Sequence, residues 1–586
     1  MRSLWNIDTY ASARLPGTRA CTVLLLLALA APLPAQDTSS VGDGPCAGLR
    51  VTGIVIDAGR PEFRGVFSWW RKFARALGLH HETTEPGLIR RFVTLDPGDP
   101  CTEFRRAESE RILRAQPYLS DANVVTERDG DGVRVEVSTI DEVPVIAGAR
   151  VSGREIRALS FGTMNFVGAG MHLEGRWERH KERRQGFGGK IAHPQLLGRP
   201  YALVLDGMRR TLGENLLVTL SHPFYTDLQR IAWHSGYSIL RDHVPLRRPD
   251  QTALLQPVDR WMWNVGGVVR FGPPRRLVLI GGMLLGERVE PRHEFFLEDS
   301  ATARLVPVTD TAGVRRYDVY DATHVAGVLG VRALTFTRMH GLDALAADQD
   351  VGTGTQIGAT AGVQPLFRNP LRQAFAAVDA YAGARVGRSF LAARVEGETR
   401  IDIERLEWRH MVAGGRAAWY FQPRQRWTSE LSLEGAGAWK TIFPFQLELG
   451  ERRGGLRGHA RSFEAGGQRL LARLEQRLDL GRYQRTRAAY GVAAFTEAGR
   501  MWAGDVPFGR NTPVRTSVGL ALLGAVPARS QRTIRAELAI PVNRGAGAAP
   551  ELRFTVREPA RGFWFDPPRI RWARLSALPE QIFTWP

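Results

Sequence analysis

The stretch from Glu451 to Trp502, ERRGGLRGHARSFEAGGQRLLARLEQRLDLGRYQRTRAAYGVAAFTEAGRMW, decides how the chain is read. Its first part is a Gly-rich loop in which Gly454, Gly455 and Gly458 surround Arg457. Two alternating segments follow, the second ending in Phe495-Thr496-Glu497-Ala498-Gly499. On an extended strand, successive side chains point to opposite faces. Tyr490, Val492 and Ala494 therefore share a face suited to lipid, while Gly491, Ala493, Phe495 and Glu497 share a floor of small residues with one carboxylate. A Gly-rich loop folded onto that floor brings Arg457 to Glu497, where two parallel hydrogen bonds join a guanidinium to a carboxylate. The alternative is an exposed surface pair worth under ~1 kcal/mol.

Working outward, alternation of this kind continues over most of the chain. Trp427, Leu431 and Leu433 oppose Thr428, Glu430, Ser432 and Glu434; Ile534, Leu538 and Ile540 oppose Arg535 and Glu537; Leu552, Phe554 and Val556 oppose Arg553, Thr555 and Arg557. Segments of about ten residues with turn residues between them are the signature of a membrane β-barrel, here expected over residues 148–559. Five strands are expected after the Arg457 loop, at about 467–480, 487–502, 513–527, 531–542 and 549–558, and eleven to thirteen before it. The polar stretches Asp242–Pro257 and Glu290–Thr323 read as extracellular loops. Residues 560–586 form a Pro- and aromatic-rich tail, expected on the periplasmic side.

The chain of 586 residues carries a net charge of +19. Arg14 and Arg19 precede the apolar run Thr22–Ala31 and the Pro-Ala-Gln region at 34–36, so residues 1–36 read as a secretory signal peptide. The run is too short for the ~20 residues of a membrane anchor helix. Removing it takes Arg2, Arg14, Arg19 and Asp8, a net of two positive charges, and leaves about +17. A basic balance can mean nucleic acid, but an export signal and arginines spread along strands point to a guanidinium-lined lumen instead.

A linker at 37–49 leads into a small α+β domain at 50–143. Val51, Ile54 and Ile56 begin a strand, and Phe67–Leu79 reads as a Trp- and Arg-rich helix. Thr84 is expected to cap a short helix carrying Leu88, Ile89 and Phe92, and a second helix is expected from Thr102 to Ala115. Strands at 122–127 and 133–139 flank the turn Asp129-Gly130-Asp131-Gly132. Cys46 and Cys101 remain after export, in a compartment that permits disulfides, and are read either as a bridge or as two small thiols.

Catalytic constellations are not found. His293-Glu294 lacks the second histidine of a zinc helix, and His80-His81 reads as a solvated helix end rather than a metal site. Gly188-Gly189-Lys190 is followed by Ile191 and is no phosphate loop. The expectation is a non-enzymatic protein with no metal and no cofactor.

GGLRGH, with Arg457, resembles the arginine-bearing loop signature of the BamA/TamA superfamily (the bacterial surface antigen family) of outer-membrane insertases and translocases. FTEAGRMW is similar to that family's F-x-D-x-G strand, with Glu497 for the usual Asp; His459 stands where an aromatic is usual. The order of elements in 50–141 resembles one POTRA domain, and Met164–Gly170 and His222–Tyr225 are weaker echoes. The resemblance implies an all-β transmembrane barrel of about sixteen antiparallel strands with a periplasmic POTRA domain, in the outer membrane of a Gram-negative-type bacterium. It implies a loop–barrel lock made by Arg457 and Glu497 with Gly454, Gly455, Gly458, Phe495 and Gly499. It also implies contacts with outer-membrane lipid, with unfolded client polypeptide and with periplasmic accessory proteins, and none with nucleic acid. A POTRA domain takes clients by strand addition; a mere spacer is the other reading of this one. Protein insertion or transport is the function implied, against a solute channel or receptor in which the Arg457 loop is a plug, or a structural protein with no transport role.

Overall fold

The computed structural model describes residues 46, 48–60, 83–152, 155–180, 184–250, 252–299, 304–309, 314, 317–365, 373–451, 454–459, 464–483, 487–543, 545, 547–557, 570 and 573–574. The expected signal peptide, the Phe67–Leu79 helix and His80-His81 lie outside these residues.

The N-terminal domain is a three-stranded sheet with two helices. Strand β1 (Val51–Gly59) runs parallel to β3 (Gly132–Asp141), which pairs antiparallel with β2 (Leu119–Asp129), in the order β1-β3-β2. Helices α1 (Pro86–Arg90) and α2 (Glu103–Arg114) cover one face. Leu88, Ile89, Ile112 and Leu113 pack on Val124, Val133, Val135 and Val137. Thr102 caps α2 by accepting from the Arg105 amide at 3.3 Å. Thr84 does not cap α1. Its hydroxyl and amide both donate to Asp141, at 2.7 and 3.0 Å, and the hydroxyl oxygen accepts from the Asn165 side chain at 2.9 Å, so it is turned into the core and away from the helix amides. Cys46 and Cys101 are joined as a disulfide, their Cα atoms 5.0 Å apart.

The rest is a closed antiparallel barrel. Its first nine staves are β4 (Val145–Ser152), β5 (Glu155–Phe166), β6 (Met171–His180), β7 (Arg184–His193), β8 (Ala202–Arg210), β9 (Gly213–His222), β10 (Ile231–Arg247), β11 (Ala253–Phe271) and β12 (Leu277–Pro291). A small hairpin of β13 (Phe296–Glu298) and β14 (Leu305–Pro307) hangs on β11. Six more staves follow: β15 (Tyr320–His340), β16 (Asp348–Val363), β17 (Gln373–Val386), β18 (Ser389–Asp402), β19 (Glu407–Arg424) and β20 (Trp427–Trp439). The next connection carries the two-residue strands β21 (Leu447–Glu448) and β22 (Ala465–Gly466), paired with each other. The last five staves are β23 (Gln468–Tyr483), β24 (Ala488–Trp502), β25 (Arg515–Ala525), β26 (Thr533–Pro541) and β27 (Glu551–Arg557), and β27 lies beside β4 to close the ring.

Among the described residues, twenty staves replace the expected sixteen. Five do follow the Arg457 loop, but fifteen precede it. Between residues 145 and 222 six short strands carry Gly and Arg at inward and outward positions alike, which dilutes the period-2 signal of each. The stretch Asp242–Pro257 is mostly strand, because β10 and β11 extend as a long paired ribbon from Arg247 and Ala253 downward. Strand length varies around the wall: β15 has 21 residues, whereas β27 and β4, the two shortest staves, have 7 and 8. At about 3.3 Å per residue these correspond to ~70 Å and ~25 Å of chain.

The domain sits on the mouth formed by the turns that follow the odd-numbered staves β5, β7, β9, β11 and β25, here the near mouth. Arg111 donates to the Tyr225 carbonyl at 2.8 Å and lies 4.4 Å from the Phe336 ring centroid. Arg114 grips both Asp350 oxygens at 2.9 Å, Arg338 pairs with Glu110, and Arg529 reaches Asp121 at 2.6 Å. The two echo motifs of the sequence both lie here: Asn165 donates to the Thr84 hydroxyl at 2.9 Å, and Tyr225 packs edge-on against Phe92.

Of the expected tail, only Ile570, Ala573 and Arg574 are among the described residues, and their place differs from the expected one. Strand β27 ends at Arg557 toward the near mouth, yet Ile570, Ala573 and Arg574 are buried inside the far half of the barrel. Apolar burial and ion pairing within the lumen, described below, hold them there.

Candidate functional site

Alternation on β24 decides which side chains face the lumen. Tyr490 and Ala494 point outward and are exposed, whereas Ala493, Phe495 and Glu497 point inward and are buried. Between β20 and β23 the chain turns into the barrel instead of lying over its rim. Phe443, Phe445, Leu447, Leu449 and Leu456 from this segment pack on Ala436, Leu471 and Met501 of the wall, and this burial draws the loop inward.

At the tip, the Arg457 side chain is 6 % exposed and Glu497 1 %. Arg457 Nε and Nη2 contact Glu497 Oε1 at 2.9 and 2.7 Å, while the Arg457 amide donates to Oε2 at 3.0 Å. Nη1 donates to Glu537 Oε1 at 3.0 Å. The guanidinium carbon lies 3.4 Å from the Phe495 ring centroid, so the cation is held by carboxylates at its edge and by a π face beneath. A Cβ at Gly519 on β25 would collide with that ring.

Two glycines are required by geometry. Gly458 has φ +77°, and a Cβ there would stand 3.2 Å from Pro541 Cδ. A Cβ at Gly499 would come within 2.6 Å of Leu471 and 3.1 Å of Leu449, closing the space the loop enters. Gly454, at φ +81°, presents its carbonyl to Arg473 Nη2 at 2.8 Å, and the Gly455 carbonyl accepts from the same nitrogen at 3.2 Å.

Several members of the site carry no motif. Arg473 of β23 donates through Nε to Glu497 Oε1 at 3.0 Å. Arg535 sets two nitrogens on Glu475 at 2.9 and 2.8 Å and its Nε on Glu537 at 2.6 Å. The Gly458 amide donates to Glu551 Oε2 at 3.0 Å, and the Ala549 amide donates to the Gly458 carbonyl at 3.1 Å. Three arginines and three glutamates, Arg457, Arg473, Arg535, Glu475, Glu497 and Glu537, thus form one buried lattice. For Arg473, Arg535, Glu475 and Glu537 the signal in sequence is inward alternation alone, which says that they face the lumen but not that they meet. His459 is buried beside the tip. Among the described residues no cluster of His, Cys, Asp or Glu is arranged to hold a metal ion.

A closed antiparallel ring with aliphatic side chains such as Leu520, Leu522, Leu552 and Phe554 exposed outward, and with buried ion pairs inward, is a transmembrane β-barrel of the outer-membrane kind. No helix among the described residues is long and apolar enough to cross a membrane. No protein-family model matches the chain, and no curated protein matches it. Among solved structures, the chain is similar to BamA from Haemophilus ducreyi lacking POTRA domains 1-3, with 13 % identity over 87 % of this chain and 84 % of that one, TM-score 0.33. It is also similar to CdiB from Escherichia coli, with 11 % identity over 92 % of this chain and 96 % of that one, TM-score 0.38. A third likeness is to the alcaligin outer-membrane receptor FauA from Bordetella pertussis, with 11 % identity over 74 % and 68 %, TM-score 0.29. At these TM-scores none of the likenesses says what the chain does.

Proposed function

We propose that the chain is an outer-membrane assembly or translocation factor of the BamA/TamA superfamily, acting non-enzymatically on unfolded polypeptide. The observation that carries this reading is the place of the loop tip. Arg457 and Gly458 are tied at once to β24, β26 and β27, so the lock bears on the strand that closes the ring. Among the described residues that strand and its partner β4 are the two shortest staves, and few backbone hydrogen bonds have to part to open between them. A short wall also spans less hydrocarbon, which perturbs the lipid next to the closure.

The N-terminal domain, in the periplasm, supplies the receiving surface. Its sheet order leaves β1 and β2 at the edges, with Val55 and Val125 exposed on them. An extended client segment adds to such an edge by main-chain hydrogen bonds, with little dependence on sequence. One such domain fits a specialised client better than a general one, and periplasmic accessory proteins are further candidate partners. No step in this scheme calls for a metal, a cofactor or nucleic acid.

The test places a photocrosslinking amino acid at Val55 or Val125 and presents an unfolded outer-membrane polypeptide. Trapped polypeptide supports the reading. Solute conductance with nothing trapped would instead favour a channel or receptor in which the Arg457 loop is a plug.

A further inference from the structure

The far half of the lumen contains a second built site, distinct from the Arg457 lattice and filled by Ile570, Ala573 and Arg574. Arg574 donates through Nη1 to Glu396 Oε2 at 2.5 Å and through Nη2 to Asp379 Oδ2 at 3.1 Å. Its carbonyl accepts from Arg260 Nη2 at 3.2 Å. The Ala573 carbonyl accepts from His410 Nε2 at 2.8 Å, while His410 Nδ1 accepts from the Ile442 amide at 3.4 Å, which fixes the Nε2–H tautomer. Ile570 is fully buried among Val244, Val258, Val289 and Val412.

Two features separate this site from ordinary wall packing. His410 has φ +46°, and the β18–β19 register shifts beside it, so a bulge aims the imidazole at the tail carbonyl. Such backbone geometry in a non-glycine residue persists only where its surroundings hold it. Further, Ile570, Ala573 and Arg574 belong to no described strand, so their departure breaks no strand pairing among the described residues. The wall thus offers acidic oxygens to a guanidinium, donors to main-chain carbonyls and an aliphatic recess, a set that matches a polypeptide segment with an aliphatic residue one helical turn before an arginine.

We propose that this site binds polypeptide and that Ile570, Ala573 and Arg574 act as a tethered ligand occluding the lumen until displaced. The inference rests on the reading of the barrel as a polypeptide handler only for the identity of the competitor. The test is conductance in planar bilayers of the full chain, its Arg574→Glu variant and a chain ending at Pro568, each checked for folding by heat-modifiable gel mobility. Expected are higher conductance for both altered proteins and its suppression in the shortened one by a synthetic peptide of residues 566–578. The same peptide with Arg574→Glu should block on the order of a hundredfold more weakly, as befits loss of a buried ion pair. Unchanged conductance of the folded shortened chain, or equal block by the two peptides, would overturn the proposal. Block by the peptide with no client trapped at Val55 or Val125 would leave the site standing and remove the transport reading.

Discussion

Replacing Arg457 by alanine removes the nitrogens that lie 2.7–3.0 Å from Glu497 and Glu537 and the cation over Phe495. Stripping one partner from a buried ion pair costs about 3–5 kcal/mol, because the remaining charge stays desolvated. Here neither carboxylate is left alone: Arg473 remains 3.0 Å from Glu497, and Arg535 remains 2.6 Å from Glu537. The expected loss is therefore at the lower end of that range, about 3 kcal/mol. Glu497→Ala should cost more, about 4 kcal/mol, since it removes the acceptor shared by two arginines and the Arg457 amide, with only Glu537 still bonded to Arg457 and Glu434 and the Gly454 and Gly455 carbonyls still bonded to Arg473. As a control, Arg176→Ala breaks the half-buried pair with Asp206, between β6 and β8 and away from the lock, and should cost no more than ~1 kcal/mol. Arg553 is a poor control, because its partner Glu551 also holds Gly458. The assay is urea unfolding of refolded protein in vesicles, followed by gel mobility. In the double variant the two losses should fall short of their sum by about 2 kcal/mol. Equal losses for Arg457→Ala and Arg176→Ala, or strictly additive losses at 457 and 497, would refute the lock.

Three more outcomes are expected. Gly458→Ala should cost about 1–3 kcal/mol from its left-handed backbone and should lower the yield of folded barrel, which the same gel reads. Reducing Cys46–Cys101, which closes a loop of sequence separation 55, should weaken the N-terminal domain by up to about 4 kcal/mol and leave barrel unfolding unchanged. Burial raises the Asp141 carboxyl to about 6, against the lowering effect of two hydrogen bonds from Thr84. The folded state therefore holds a proton that the unfolded state has lost between about pH 4 and 6, and stability falls as pH rises through this window by up to about 3 kcal/mol. Melting of the domain followed from pH 4 to 8 should show that decline, and Asp141→Asn should flatten it; a slope that persists in the variant would assign it elsewhere.

Period-2 alternation is a local property of the chain, so much of the architecture is legible without coordinates. Outward Tyr490, Leu431, Leu538 and Phe554, inward Glu497, Glu430 and Glu537, and five strands after the Gly-rich loop all follow from it. The weakest strands do not. Gly188-Gly189-Lys190 in β7 and Arg176 in β6 carry almost no apolar signal, and their pairing is imposed by neighbours in the ring. For the same reason Asp242–Pro257 reads as polar loop, although each half is hydrogen-bonded to the other.

Residue type and spacing by themselves determined that this chain alternates as a membrane barrel, that it carries an arginine in a glycine loop, and that a carboxylate stands on the small-residue face of β24. Which charges meet was decided only in three dimensions. Glu475, Glu497 and Glu537 lie on three neighbouring staves and converge on Arg457 because those staves pair and the loop folds in over them, and Thr84 serves Asp141 because its side chain is turned into the core. Arg574 is held in the lumen for the same kind of reason. The partners of Arg574 are Asp379 and Glu396, nearly two hundred residues away in sequence, and only the closed wall brings them together.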